Sequence, residues 1–128
     1  GLTAWRPDAP GGRLLALLAR DDPEGATGDP LRWGTPEGVE DLLGRGEVRQ
    51  VRHAERTVDM TAPSLAAQWQ RYRDWFAPVH VAWRRLDPAG RAALEVDFAD
   101  LWGSSTRGGG PGIVVPNTHL QTTAVRAG

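Results

Sequence analysis

The chain predicts a mixed α/β layer architecture, and three observations carry that expectation. Apolar residues recur at helical spacing over 65–86. Two runs rich in β-branched residues, 47–60 and 113–128, read as strands. The two kinds of segment alternate along 128 residues, a length that suits one domain with one core.

The elements follow in order. "GLTAW" (1–5) reads as the end of a strand, apolar at Leu2 and Ala4 and stopped by Arg6-Pro7-Asp8. "GGRLLALLAR" (11–20) reads as a short helix and "DDPEGATGDP" (21–30) as a polar loop. "LRWGTPEGVEDLLG" (31–44) holds a capped helix over 36–43. Thr35 suits the N-cap, and Pro36 the first helical position, where no N–H is missed. Glu37 favours the positive end of that helix, and Gly44 suits its C′ position. Val39, Leu42 and Leu43 fall on one face. The strand over 47–60 alternates imperfectly, and Arg49, Arg52 and Arg56 mark a solvent-facing side or an edge.

Pro63-Ser64 opens the longest helical region. Leu65, Trp69, Tyr72, Phe76, Val79, Trp83 and Leu86 follow one another in steps of four and three, a continuous apolar stripe. Pro78 lies inside it. An interior proline costs about 3 kcal/mol, so a kink or break is expected near Ala77, with two helical pieces sharing one buried face. Asp87-Pro88 starts another helix over 88–102, apolar at Leu94, Phe98, Leu101 and Trp102. "GSSTRGGGPG" (103–112) is a loop. "IVVPNTHLQTTAVRAG" closes the chain as a strand interrupted at Pro116, which implies an edge, a bulge or a bend.

Charge and composition narrow the function classes. The formal net charge is −1, and all fifteen basic residues are arginines scattered along the chain, which argues against a nucleic-acid partner. The absence of cysteine removes disulfides and thiolate metal sites. "LLALLA" at 14–19 is too short to span a bilayer, so no membrane partner and a cytoplasmic location are expected. The chain opens without Met, and its one methionine is Met60, which points to a processed start or a piece of something longer.

Tests for chemistry return few candidates. His53, His80 and His119 lack ligand spacing, so no metal is expected. Ser64 reads as an N-cap, and Ser104 and Ser105 sit in the Gly-rich loop, none in a nucleophile's setting. "RGGGPG" (107–112) follows a helix and precedes a strand, the reverse of a phosphate loop. Asp21-Asp22, and Asp97 with Asp100, read as solvated. The aromatic stripe reads as core packing, and also as a lid over an apolar ligand with Trp75 facing the pocket.

The ordered set "GLTAWRPD" (1–8), "LRWGTPEGVEDLLG" (31–44), "ERTVDM" (55–60), "WQRYRDWFAPV" (69–79), "LDPAGRAAL" (86–94) and "GIVVPNTHLQTTAVR" (112–126) resembles the C-terminal half of a class I S-adenosylmethionine-dependent methyltransferase. The branch it looks like is the small-molecule enzymes related to ubiquinone/menaquinone biosynthesis. The resemblance covers nearly the whole chain, and "WGTPEGV" is its sharpest piece. It implies that residues 1–128 form a single partial domain of a Rossmann-like sheet. The first segment would be the end of the fifth strand, followed by an antiparallel sixth/seventh strand pair. A helical lid insertion over about 64–102 would cover the acceptor site, and Trp33 would pack where the chain enters the capped helix.

It also implies methyl transfer from S-adenosylmethionine to a small-molecule acceptor. Trp5, Tyr72, Trp75 and Phe76 would be acceptor contacts, and His80 a candidate base whose plainer reading is a solvated helix residue. The glycine loop and acidic residue that hold the cofactor in this family are expected ahead of residue 1. This chain alone is therefore expected to bind S-adenosylmethionine poorly or not at all. A rival reading is a non-catalytic binding or dimerisation module that uses the aromatic helices.

Overall fold

The computed structural model describes residues 1–20, 22, 29–44 and 46–128. The loop expected over 21–30 falls mostly outside the described residues, as does the Asp21 half of the Asp21-Asp22 pair. Asp22 itself lies 3.9 Å from Arg85. The described elements are β1 (Leu2–Trp5), α1 (Pro10–Ala19), a 3-10 turn (Pro30–Gly34), α2 (Pro36–Leu43), β2 (Val48–Ala62), α3 (Leu65–Trp75), α4 (Ala77–Arg85), α5 (Pro88–Ser105) and β3 (Ile113–Arg126). The architecture is mixed α/β, with a small three-stranded sheet in the order β1-β3-β2. β3 runs antiparallel to both neighbours. None of the described helices is long and apolar enough to cross a membrane.

Three side-chain caps fix the helix starts. Thr35 Oγ1 accepts the Gly38 N–H at 3.1 Å, Ser64 Oγ that of Ala67 at 3.0 Å, and Asp87 Oδ1 that of Gly90 at 2.7 Å. Gly44 ends α2 as its C-cap rather than at C′, with φ 70° and ψ 152°, a positive-φ conformation that favours glycine but is not the left-handed helical one. The break near Pro78 is complete: Phe76 is extended (φ −86°, ψ 106°), and Pro78 falls in the first turn of α4, where it removes no helical hydrogen bond. The apolar stripe continues across the break, since all seven of its residues belong to or pack on the core.

Three sequence expectations need correction. The strand is not interrupted at Pro116. Arg6 donates its N–H to the Thr118 carbonyl, and Val114 bonds to Thr106 and Arg107, so even-numbered β3 residues turn their backbone away from β2. Pro116 shares that parity and lies beyond the end of β1, at a local edge where a missing N–H breaks no ladder bond. Second, α2 buries Val39 alone among its three apolar residues, with Leu42 exposed, because this short helix packs mainly on the 3-10 turn before it. Third, Ser104 and Ser105 are not in the loop. Their hydroxyls donate to the Leu101 carbonyl at 3.1 and 2.6 Å in the last turn of α5.

The sheet is covered on opposite faces at its two ends. Ile113, Val115 and Asn117 share one face, and α1 and the α3–α5 block lie on it. Asn117, fully buried, accepts the Gly11 N–H of α1 at 2.6 Å. Leu120 and Thr122 point the other way, toward the 3-10 turn and α2. There His53 Nδ1 and Thr122 Oγ1 are 2.9 Å apart, and His53 Nε2 lies 3.5 Å from Glu40 of α2. A bulge at Gln50, φ 55°, inserts one residue into β2. Arg49, Arg52 and Arg56 therefore pair with Val125, Thr123 and His119 and share one face, although 49 and 52 differ in parity.

Candidate functional site

The sequence placed its acceptor contacts on the aromatic arm, and the arm is mostly core. Tyr72 is buried against Phe76 (5.1 Å between ring centroids), Phe98 (5.3 Å) and Trp102 (5.0 Å). Trp69 packs edge-on against Trp83 at 5.4 Å, and Phe98 stacks on Trp102 at 4.7 Å. Arg73 and Arg91 lie over the Trp83 ring at 5.7 and 5.2 Å, closing the outer side of the cluster. Burial pushes the Tyr72 hydroxyl up to about 12, against a small opposing effect of Arg71.

The structure thus brings Tyr72 and Phe76 together but not the other two contacts. Trp75, at the end of α3, is 85% exposed. Trp5 belongs to β1, where its ring meets His119 edge-on at 5.8 Å. Trp33 is half-buried in the 3-10 turn before Thr35. His80 is half-buried in α4 and donates from Nδ1 to the Arg73 carbonyl at 3.0 Å, which fixes its ring and leaves Nε2 as the basic nitrogen. The described residues include no cluster of three His, Cys, Asp or Glu able to hold a metal ion.

A cavity of about 360 Å³ opens at the C-terminal end of β1, lined by Arg6, Asp8, Glu55, Pro116 and Thr118 with the start of α1. Three close approaches build it. The Arg6 N–H donates to Thr118, and the Arg6 carbonyl accepts from Ala9 at 3.1 Å. A Cβ on Gly12 would sit 2.0 Å from that same carbonyl oxygen, so only glycine lets α1 start there. The Arg6 guanidinium then bridges Asp8 (Nε to Oδ1, 3.1 Å) and Glu55. The Arg6 hydrogen bond holds the Asp8 carboxyl below the usual carboxylate range, and the same bond raises Arg6.

This cluster carries two carboxylates to one guanidinium, so it offers acceptor oxygens to a hydroxyl or amino group. Among the described residues no Ser, Cys or His lines the cavity, and both carboxylates are engaged by Arg6, so what the geometry shows there is binding and orientation. Trp5 lies on the other face of the sheet, because it pairs with His119 while the cavity takes Thr118. Sequence reading missed the site because Arg6-Pro7-Asp8 signals only a strand end, and Glu55 joins it through β3, more than fifty residues further along. A second cavity, of about 660 Å³, lies between α2 and the start of β2, with Glu37, Glu40 and Asp41 on its rim. No aromatic residue of the arm lines either cavity.

Among the described residues, one helix start bears on nucleotide binding. The only helix start beside a β1 strand end is that of α1, and its Gly11 N–H is already taken by Asn117 rather than facing an anion. No protein-family model matches the chain, and no curated protein or solved structure matches it.

Proposed function

We propose that the chain is the acceptor-side half of an S-adenosylmethionine-dependent methyltransferase acting on a small molecule. The observation that carries this reading is the strand order β1-β3-β2, with β3 antiparallel to both neighbours and a helical block between β2 and β3. That is the order expected of a fifth strand followed by an antiparallel sixth/seventh pair. A cytoplasmic location goes with this reading.

These residues supply walls and orientation in the proposed reaction. Methyl transfer by in-line displacement needs placement and exclusion of water more than a catalytic constellation. The cavity at the end of β1 lies where ligands sit in open α/β sheets, outside the carboxyl ends of strands. Asp8 and Glu55 would there accept from the acceptor's hydroxyl or amino group. Trp75 would contact an acceptor from the arm, while Tyr72 and Phe76 would support that arm from within. His80, with Nε2 free to take a proton, remains the candidate base.

The test is calorimetric and genomic. Coding sequence upstream of residue 1 is expected to contain a glycine loop after a strand and an acidic residue ending the next strand. The longer protein is expected to bind S-adenosylmethionine where residues 1–128 do not. A natural start at residue 1, with a cooperative fold and no cofactor binding, would overturn the reading. It would favour the binding or dimerisation module instead, for which the exposed Trp75 ring speaks.

A further inference from the structure

β2 is an edge strand, and its middle is bare. Residues 55–59 are exposed in an unbroken run. Even-numbered β2 residues pair with the odd-numbered β3 residues that face them, so the backbone N–H and C=O groups of Glu55, Thr57 and Asp59 point away from the sheet. Among the described residues the only partner any of these groups has is Arg56, whose Nη1 donates to the Glu55 carbonyl at 3.2 Å. The opposite edge of the sheet is closed at Trp5, where the 3-10 turn comes so near that a Cβ on Gly34 would sit 2.0 Å from the Trp5 carbonyl oxygen.

Charge is sorted between the two faces of this bare stretch. Glu55 and Asp59 lie on one face and are paired with Arg6 and Arg107. Arg52 and Arg56 lie on the other, flank Ala54, and have no carboxylate partner among the described residues. Val58, 42% exposed, continues that face. A second copy of β2 is a poor occupant: antiparallel self-pairing centred on residues 54–57 sets Arg52 against Arg56, Glu55 against Glu55, Arg56 against Arg56 or Glu55 against Asp59 in turn, and like charges directly opposite repel.

We propose that the free edge of β2 binds an extended peptide strand, antiparallel, with an apolar residue followed two and six positions later by acidic ones. The apolar residue lies opposite Val58 and the two carboxylates opposite Arg56 and Arg52. The backbone groups of Glu55, Thr57 and Asp59 supply the ladder hydrogen bonds, and the two arginines select the partner. This surface is independent of the methyltransferase reading.

The probe is the heptapeptide Val-Thr-Glu-Thr-Thr-Thr-Glu, followed by fluorescence anisotropy and by amide hydrogen exchange of the full chain. Saturable binding is expected, with exchange slowed at Glu55 and Thr57, which lie opposite the fourth and second peptide residues. N-methylation of the second and fourth peptide residues, which face those groups, should abolish binding, whereas N-methylation of the third and fifth should be tolerated. The double variant Arg52→Glu/Arg56→Glu should lose at least about tenfold in affinity and recover it with lysine in place of both peptide glutamates. No binding up to about 1 mM, equal effects of the two N-methylation patterns, or indifference to the charge swap would overturn the proposal. So would slow exchange of those amides in the free protein together with a dimer in sedimentation, which would make a second copy the occupant.

Discussion

Tyr72 is the only tyrosine in the chain, so its ionisation can be read by tyrosinate absorbance without interference. Burial raises its hydroxyl from 10.0 to about 12. Below pH 10 the phenol is protonated in the folded and unfolded chains alike. Between pH 10 and 12 the unfolded chain releases a proton that the folded chain keeps, so stability falls as pH rises, by about 2–3 kcal/mol in total. Urea denaturation at stepped pH should show this fall, and Tyr72→Phe should flatten it. Asn117 is the other informative residue. Its Oδ1 satisfies a buried N–H of α1, so Asn117→Ala should cost about 1–3 kcal/mol by leaving Gly11 unpaired. Neither role is legible locally. Tyr72 sits in a stripe that reads as core packing and also as a lid, and Asn117 follows the proline at which the sequence predicts an interrupted strand.

The helices were the most legible elements because their signals are short-range. Caps act over three residues and the stripe over three or four, so Thr35, Ser64, Asp87 and the seven stripe residues all do in the structure what their spacing predicts. Asp87→Ala should destabilise the protein by about 1 kcal/mol, since α5 carries Leu94, Phe98 and Trp102 into the core and loses its side-chain cap. The equilibrium midpoint in urea, at unchanged slope, checks this. Strands were legible as extended segments but not in their phase. The imperfect alternation of 47–60 is the bulge at Gln50, and no residue type announces a glutamine in the left-handed region. The bulge sets which face Arg49 occupies, so the arginine face emerges only with the register. The cavity at the end of β1 was hidden for the same reason, since Arg6 meets Glu55 only after β3 has aligned them.

At the scale of the molecule, one core cluster draws on α1, α3, α4, α5, β2 and β3, with Val39 and Leu120 buried on the other face of the same sheet. A sheet shared by both packed faces couples them, so unfolding should be a single transition. Far-ultraviolet circular dichroism and tryptophan fluorescence are expected to give coincident urea curves. An earlier loss of the α2 side would separate them and disprove the coupling. The sequence carried the α/β class and the segment order, because alternation of patterns is visible along a chain. Which strand lies in the centre was not readable from pattern alone, because pairing joins segments dozens of residues apart.

The central position of β3 has a consequence for biosynthesis. β1 and β2 are not paired with each other, and each depends on a segment translated after every helix described above. While the ribosome is still making α5, both strands wait without partners, and the long arginine-bearing one is open to passing chains along both edges. Arginines along an exposed strand disfavour pairing with foreign strands, which suits a segment that has no partner before residues 113–126 are made.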